Sequence, residues 1–156
     1  MKNNAVLRLF SKYGDDLYRF ALSYVGSKCE AEDIVQDIFV KLISRPFVIR
    51  QDKEKSYLLK ITANACKDYL KSPRYRSSVD IDNYAEVIGI SEYLPEDDSL
   101  YNALCKIDRK FRMPIYLHYY EGYSYKEISG ILKLSESAVA MRINRGKDEL
   151  KKALEE

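Results

Sequence analysis

Two sets of side chains in this 156-residue chain have the types and spacing to hold nucleic acid. Downstream of Ser135, the residues Ser137, Ala140, Met141, Arg142, Asn144, Arg145 and Lys147 fall on one face of a helical repeat, opposite an apolar stripe of Val139, Ile143, Leu150 and Leu154. A helix of that kind fits the major groove, where arginine, asparagine and serine reach base edges or phosphates. Upstream, Lys60, Asn64, Lys67, Asp68 and Lys71 recur at i, i+4, i+7, i+8 and i+11, and the polar stripe runs on into Arg74 and Arg76. With Tyr57, Tyr69 and Tyr75 beside it, this second set has the parts for phosphate contacts and for stacking on, or hydrogen bonding to, an unpaired base. Each set also reads as an ordinary solvated face, since lysine and arginine mostly sit at protein surfaces.

The elements that must position these residues are helices. Ser124 and Glu127 form an S-x-x-E capping box that starts one near Tyr125, with Ile128, Ile131 and Leu132 on its apolar side. Lys133 and Leu134 make the turn, where left-handed backbone at a lysine costs on the order of 1 kcal/mol. Ser135 then caps the next helix, with Glu136 in its first turn. Ser129 and Ala138 are small where two such helices would cross. The N-terminal part reads as three helices. The first, Leu7 to Val25, carries Leu17, Phe20, Ala21 and Tyr24 on one stripe, with a break expected near Gly14. The second starts at the capping pair Ser27 and Glu30 and ends before Pro46; it buries Ala31, Val35, Ile38 and Leu42 and turns Glu32, Asp33, Gln36, Asp37 and Val40 outward. The third, about Lys53 to Lys71, is expected to pack Leu58, Ile61, Ala65 and Tyr69.

A net charge of +2 hides a segregation. Residues 1–72 hold 13 Lys or Arg against 9 Asp or Glu, and residues 104–156 hold 11 against 8. From Ser77 to Ala103 there is no Lys or Arg but there are seven acids: Asp80, Asp82, Glu86, Glu92, Glu96, Asp97 and Asp98. The expected fold is therefore all-α: two small helical domains, 1–76 and 104–156, joined by an acidic linker at 77–103, the C-terminal domain being a helix-turn-helix.

Several function classes are disfavoured. No apolar run of about 18 residues exists and MKNNAVLRLF lacks a signal-peptide core, so a cytoplasmic protein without membrane insertion is expected. Cys29, Cys66 and Cys105 form no C-x-x-C pair and read as buried thiols, and His118 reads as a packing or surface residue. No catalytic constellation, Gly-rich phosphate loop, metal site or cofactor is expected, so the chain does not read as an enzyme.

The succession AEDIVQDIFVKL (31 to 42), YLLKITANACKDYLK (57 to 71), an acidic linker and RKFRMPIYLHYYEGYSYKEISGILKLSESAVAMRINRGKDELKKAL (109 to 154) resembles bacterial sigma factors of the extracytoplasmic-function group, over nearly the whole chain. The resemblance implies that Asp33, Gln36, Asp37 and Phe39 dock on the β′ clamp helices of core RNA polymerase. It implies that Tyr57, Lys60, Asn64, Lys67, Asp68, Lys71, Arg74 and Arg76 face the −10 promoter element, with Asn64 at an extruded base. It implies that Ser137, Ala138, Ala140, Met141, Arg142, Asn144, Arg145 and Lys147 face the −35 element. The β flap and an anti-sigma factor are further partners that the family brings. The sequence departs from the pattern at Ser56-Tyr57, where an aromatic pair led by Trp is usual, at Ala140 in place of a cation, at Asp108 in place of Pro, and at Pro114, where a helix is expected to restart.

Two other classes fit parts of the sequence. A stand-alone helix-turn-helix regulator would bind palindromic operators without polymerase, and a helical adaptor would show no salt-dependent affinity for DNA. The stripe of Lys60 and Asn64 in the first domain favours the sigma reading, because a dimerisation domain has no need of it.

Overall fold

Where the sequence alternates apolar and polar residues at helical spacing, the chain is helical, and all regular structure among the described residues is of this kind. The computed structural model describes residues 2–44, 49–71 and 98–155. Arg74, Arg76 and the acidic tract up to Asp97 lie outside them, as does the side chain of Leu154.

Helix α1 (Lys2–Val25) runs without a break. Gly14 is buried in it, and a Cβ there would only touch the Phe10 ring at 3.8 Å, so nothing forces a kink. The stop comes at Gly26, whose φ of 77° turns the chain while its N–H donates to the Leu22 carbonyl at 2.9 Å. Helix α2 (Lys28–Ser44) buries Ala31, Val35, Ile38 and Leu42 as its spacing predicts. It also buries Ile34 and Phe39, because the covered stripe is wider than one residue per turn. A 3₁₀ turn (Gln51–Lys53) leads into α3 (Glu54–Leu70).

The start of α3 is fixed by a buried carboxylate. Glu54 takes both guanidinium nitrogens of Arg8, which lies 46 positions earlier, and accepts from the Tyr13 hydroxyl at 3.2 Å. The Arg8 hydrogen bond holds the Glu54 carboxyl below the usual carboxylate range despite its burial. The buried side of α3 is Leu58, Leu59, Thr62, Ala63 and Cys66, whereas Ile61, Ala65 and Tyr69 are only half-buried. The packed face is thus rotated from the one the periodicity predicts, because α3 is covered by α1, α2 and the C-terminal half together.

The C-terminal half begins with α4 (Asp98–Lys106), so helix starts inside the tract expected to be linker. Helix α5 (Arg109–Ile115) follows, with the Asp108 carboxylate accepting from the Lys110 N–H at 3.2 Å. Pro114 does not restart a helix; it sits inside α5, and the irregularity appears just after it as a π turn (Tyr116–Tyr120). Proline has no N–H for the Lys110 carbonyl, and Arg142 donates to that carbonyl instead, at 3.5 Å. Helices α6 (Tyr125–Leu132) and α7 (Glu136–Glu155) complete the chain. Of the thiols, Cys66 is buried and Cys105 half-buried, but Cys29, in the first turn of α2, is exposed.

The two halves are in contact. Helix α1 meets α4 and α5, and α3 meets α6. Arg112 of α5, only 9% exposed, joins them with three hydrogen bonds: Nε to Ile107 O at 3.1 Å, Nη2 to Cys105 O at 2.8 Å, and Nη1 across to Tyr24 O at 3.1 Å. Phe20 of α1 lies against Tyr116, with ring centroids 5.7 Å apart.

Two helical glycines carry predictions of opposite sign. A Cβ on Gly146 of α7 would sit 2.8 Å from the Phe111 Cβ and closer still to Ile115, so the close crossing of α5 and α7 needs hydrogen there. Gly146→Ala is expected to destabilise by about 1–2 kcal/mol, overpacking outweighing the gain in helix propensity. A Cβ on Gly130 of α6 would meet nothing within 4 Å, and Gly130→Ala is expected to stabilise by about 0.5–1 kcal/mol. Urea unfolding of both variants measures this, and equal signs would contradict the packing described. Arg112→Met, which strands three carbonyls at buried positions, is expected to cost roughly 3–5 kcal/mol. Arg112→Lys, which keeps the charge without the planar fork, should restore only part of that in the same assay.

Candidate nucleic-acid interface

The geometry of α6 and α7 follows from local chemistry. Ser124 Oγ accepts from the Glu127 N–H at 3.1 Å while the Glu127 carboxylate accepts from the Ser124 N–H at 3.0 Å, so the capping box is complete. Those hydrogen bonds hold the Glu127 carboxyl below its ordinary range. Upstream, His118 Nδ1 donates to the Tyr123 carbonyl at 2.8 Å and pins the approach to α6. The turn bends at Lys133, with φ 59° and ψ 44°, the one non-glycine residue with positive φ among those described. Ser135 Oγ accepts from the Ala138 N–H at 3.1 Å, and α7 begins.

This arrangement directs the predicted residues unevenly. Ser137, Met141, Asn144, Arg145 and Lys147 are exposed on α7, Met141 by 46%. Val139 and Ile143 are buried beneath them, with Gly146 continuing the covered face. Ala138, Ala140 and Arg142 are half-buried. Arg142 points back toward α5 and α3: its guanidinium bonds the Lys110 carbonyl, and its charge is felt at Lys67.

On α3, Lys60, Asn64 and Lys67 are half-buried, whereas Tyr57 and Asp68, and Lys71 at its C-cap, are exposed. Lys67 is held below the ordinary lysine range, chiefly by burial and further by the cations Arg142, Lys133 and Lys71. The two sets of candidate contacts therefore approach each other at a seam between the halves through Lys67 and Arg142, while the outward face of α7 stays exposed. Lys55 spans that seam. Its ammonium lies 2.5 Å from Glu121 and 3.5 Å from Asp16. Burial works against its charge, but these carboxylates prevail and hold it above the ordinary lysine range.

On α2, Gln36 and Asp37 are exposed and Asp33 is half-buried, an outward polar face as expected. Phe39 does not belong to it. It is 4% exposed, with its ring 5.0 Å from that of Phe10, so the residue is part of the core. The large apolar side chains exposed nearby are Val40 and Ile43 on α2 and Leu7 and Phe10 on α1. Sequence reasoning missed Arg112, Lys55 and Glu121, whose partners lie far along the chain, and Gly146. A glycine inside a helical pattern was the available signal for the last.

Among the described residues no helix is long and apolar enough to cross a membrane, and no cluster of His, Cys, Asp or Glu could hold a metal ion. Residues 9–76 match the family described as sigma-70 region 2, and residues 97–150 match sigma-70 region 4. The extracytoplasmic-function RNA polymerase sigma factor SigX of Bacillus subtilis is 28% identical, over 94% of this chain and 82% of the relative. SigW of the same organism is 28% identical over 91% and 84%. SigL of Mycobacterium tuberculosis is 27% identical over 95% and 88%. The fold is that of the sigma factor RpoE from Bartonella quintana, solved in complex with the anti-sigma factor NepR; the TM-score is 0.65 at 21% identity, covering 97% of this chain and 95% of that one. Two sigma-70 regions in their order along the sequence, on a fold that carries both, place the chain in the extracytoplasmic-function group of the sigma-70 family of RNA polymerase sigma factors.

Proposed function

We propose that this chain binds core RNA polymerase, directs it to specific promoters and assists strand opening there, performing no covalent chemistry itself. The observation that carries this reading is the presence of both sigma-70 regions, one supplying the polar face of α2 and the Asn64 stripe of α3, the other the outward face of α7. A stand-alone operator binder would have no use for the first. The work is done in the cytoplasm, where polymerase and promoters are. Run-off transcription with purified core polymerase on genomic fragments tests it, and operator binding with no polymerase-dependent transcript would sink it.

Residues 1–76 serve as the polymerase-docking and −10-reading part, and the helix-turn-helix as the −35-reading part. The closed seam between α3 and α6 has to open for this. Elements about 25 base pairs apart, at ~3.4 Å per pair, lie roughly 85 Å from one another, farther than two helices in contact can reach. An anti-sigma factor is a further partner, and one that held the seam closed would keep the two faces from spanning both promoter elements.

Two outcomes follow for individual residues. Asp33 and Asp37 form the polar rim of α2 outside the apolar core, so exchanging both for Lys should leave the chain folded and weaken core-polymerase binding. Undiminished affinity in a folded double variant would remove α2 from the docking surface. On α7, Arg145→Ala and Lys147→Ala should weaken all −35 sequences alike and lower the salt dependence. Changes at Ser137, Met141 or Asn144 should alter which sequence is preferred, by about 1–3 kcal/mol per lost base contact. Selection from randomised −35 sequences separates the two classes. A preference moved only by the Arg145 or Lys147 variants would reverse the assignment.

A further inference from the structure

Between α3 and α6 lies a cleft of about 430 Å³ that the promoter-reading surfaces do not by themselves explain. Its walls carry Lys53, Tyr57 and Lys60 on one side and Lys126, Glu127 and Gly130 on the other. None of the three ammonium groups makes a direct ion pair among the described residues, while the Glu127 carboxylate, held by the Ser124 N–H, lies within the field of Lys53. Three ammonium groups against one carboxylate leave the cleft net positive beside an aromatic ring that is 39% exposed. Gly130 adds a separate observation. It weakens α6 by its propensity, yet a Cβ there would meet nothing, so packing within this chain gives no reason for glycine. What its missing side chain does is keep the cleft open.

We propose that this cleft binds a nucleoside polyphosphate, the base lying on Tyr57 and the phosphates among Lys53, Lys60 and Lys126. The volume falls within the roughly 300–1,000 Å³ of small-molecule sites. Stacking on an aromatic ring tolerates any base, and clustered lysines act on phosphates as point charges. The ligand touches both halves, so it favours the closed seam. It also covers Tyr57 and Lys60, which are candidate −10 contacts. Bound nucleotide and bound promoter strand thus exclude one another, a consequence that rests on the sigma reading, whereas the site itself does not.

Isothermal titration of the full chain with ATP and GTP at low salt tests the site, with tripolyphosphate and adenosine as separate arms. Saturable nucleotide binding is expected, tighter than that of tripolyphosphate, with no measurable adenosine binding. Gly130→Leu, which fills the cleft, and Lys126→Glu, which reverses one wall charge, should each weaken it by about tenfold or more. Neither residue is a candidate promoter contact, and Gly130→Leu should leave the thermal midpoint unchanged or higher, which guards against misfolding as the cause. Absence of nucleotide binding, equal affinity for tripolyphosphate and ATP, adenosine binding as tight as ATP, or indifference to both substitutions would each overturn the proposal. No polymerase or promoter enters the titration, so its failure and the failure of the transcription reading are told apart.

Discussion

A guanidinium inside a protein must find acceptors, and Arg112 finds three backbone carbonyls. Two of them, on Cys105 and Ile107, belong to the end of α4 and the step after it; the third, on Tyr24, belongs to the last turn of α1. Helix ends leave carbonyls without intrahelical partners and carry the negative end of the dipole, so one cation satisfies three groups that would otherwise be stranded. The two halves are registered on each other by this contact, made between positions 88 residues apart. The rest depends on it: with α5 seated on α1, Tyr116 reaches Phe20, and α6 is carried to α3.

The same helix shapes the candidate recognition surface. Pro114 frees the Lys110 carbonyl, and Arg142 turns to it. A residue that a helical wheel places with the outward cations of α7 is thus drawn partly into the seam. Gly146, which the same wheel leaves on the apolar stripe without comment, proves to be the point where α5 and α7 come closest. The outward face that remains is narrower than the sequence suggests, and it centres on Ser137, Met141, Asn144, Arg145 and Lys147.

What was legible in the sequence was what neighbours in the chain decide. The capping box at Ser124 and the cap at Ser135 are short-range chemistry that fixes the two helix starts, whereas Lys133 counted against such a turn in the sequence and adopts the left-handed bend despite its cost. The stripe on α2 was legible because one side of that helix is covered. Helix α3 was misread by a rotation because it is covered from several sides, and amphipathic periodicity assumes one. Phe39, which only the family resemblance assigned to the docking face, is inside, its ring against that of Phe10 from α1. Glu54 with Arg8 and Lys55 with Glu121 were invisible because nothing local announces a partner so far along the chain.

The electrostatics of the seam set what holds the two halves together against what strains them. Lys67, Lys71, Lys133 and Arg142 gather there as like charges, and the lowered pKa of Lys67 registers burial first and that crowding second. Against them stand the ion pairs of Lys55, the carbonyl clamp of Arg112 and the Phe20–Tyr116 contact. A polyanion changes this balance in a way that neutral partners cannot. DNA phosphates stabilise each of the crowded cations, and they do so most fully when the two faces are apart and each lies along its own stretch of backbone. The repulsion that weakens the closed seam is therefore the same kind of charge that attracts nucleic acid, so on the proposed function opening of the seam and promoter binding reinforce one another.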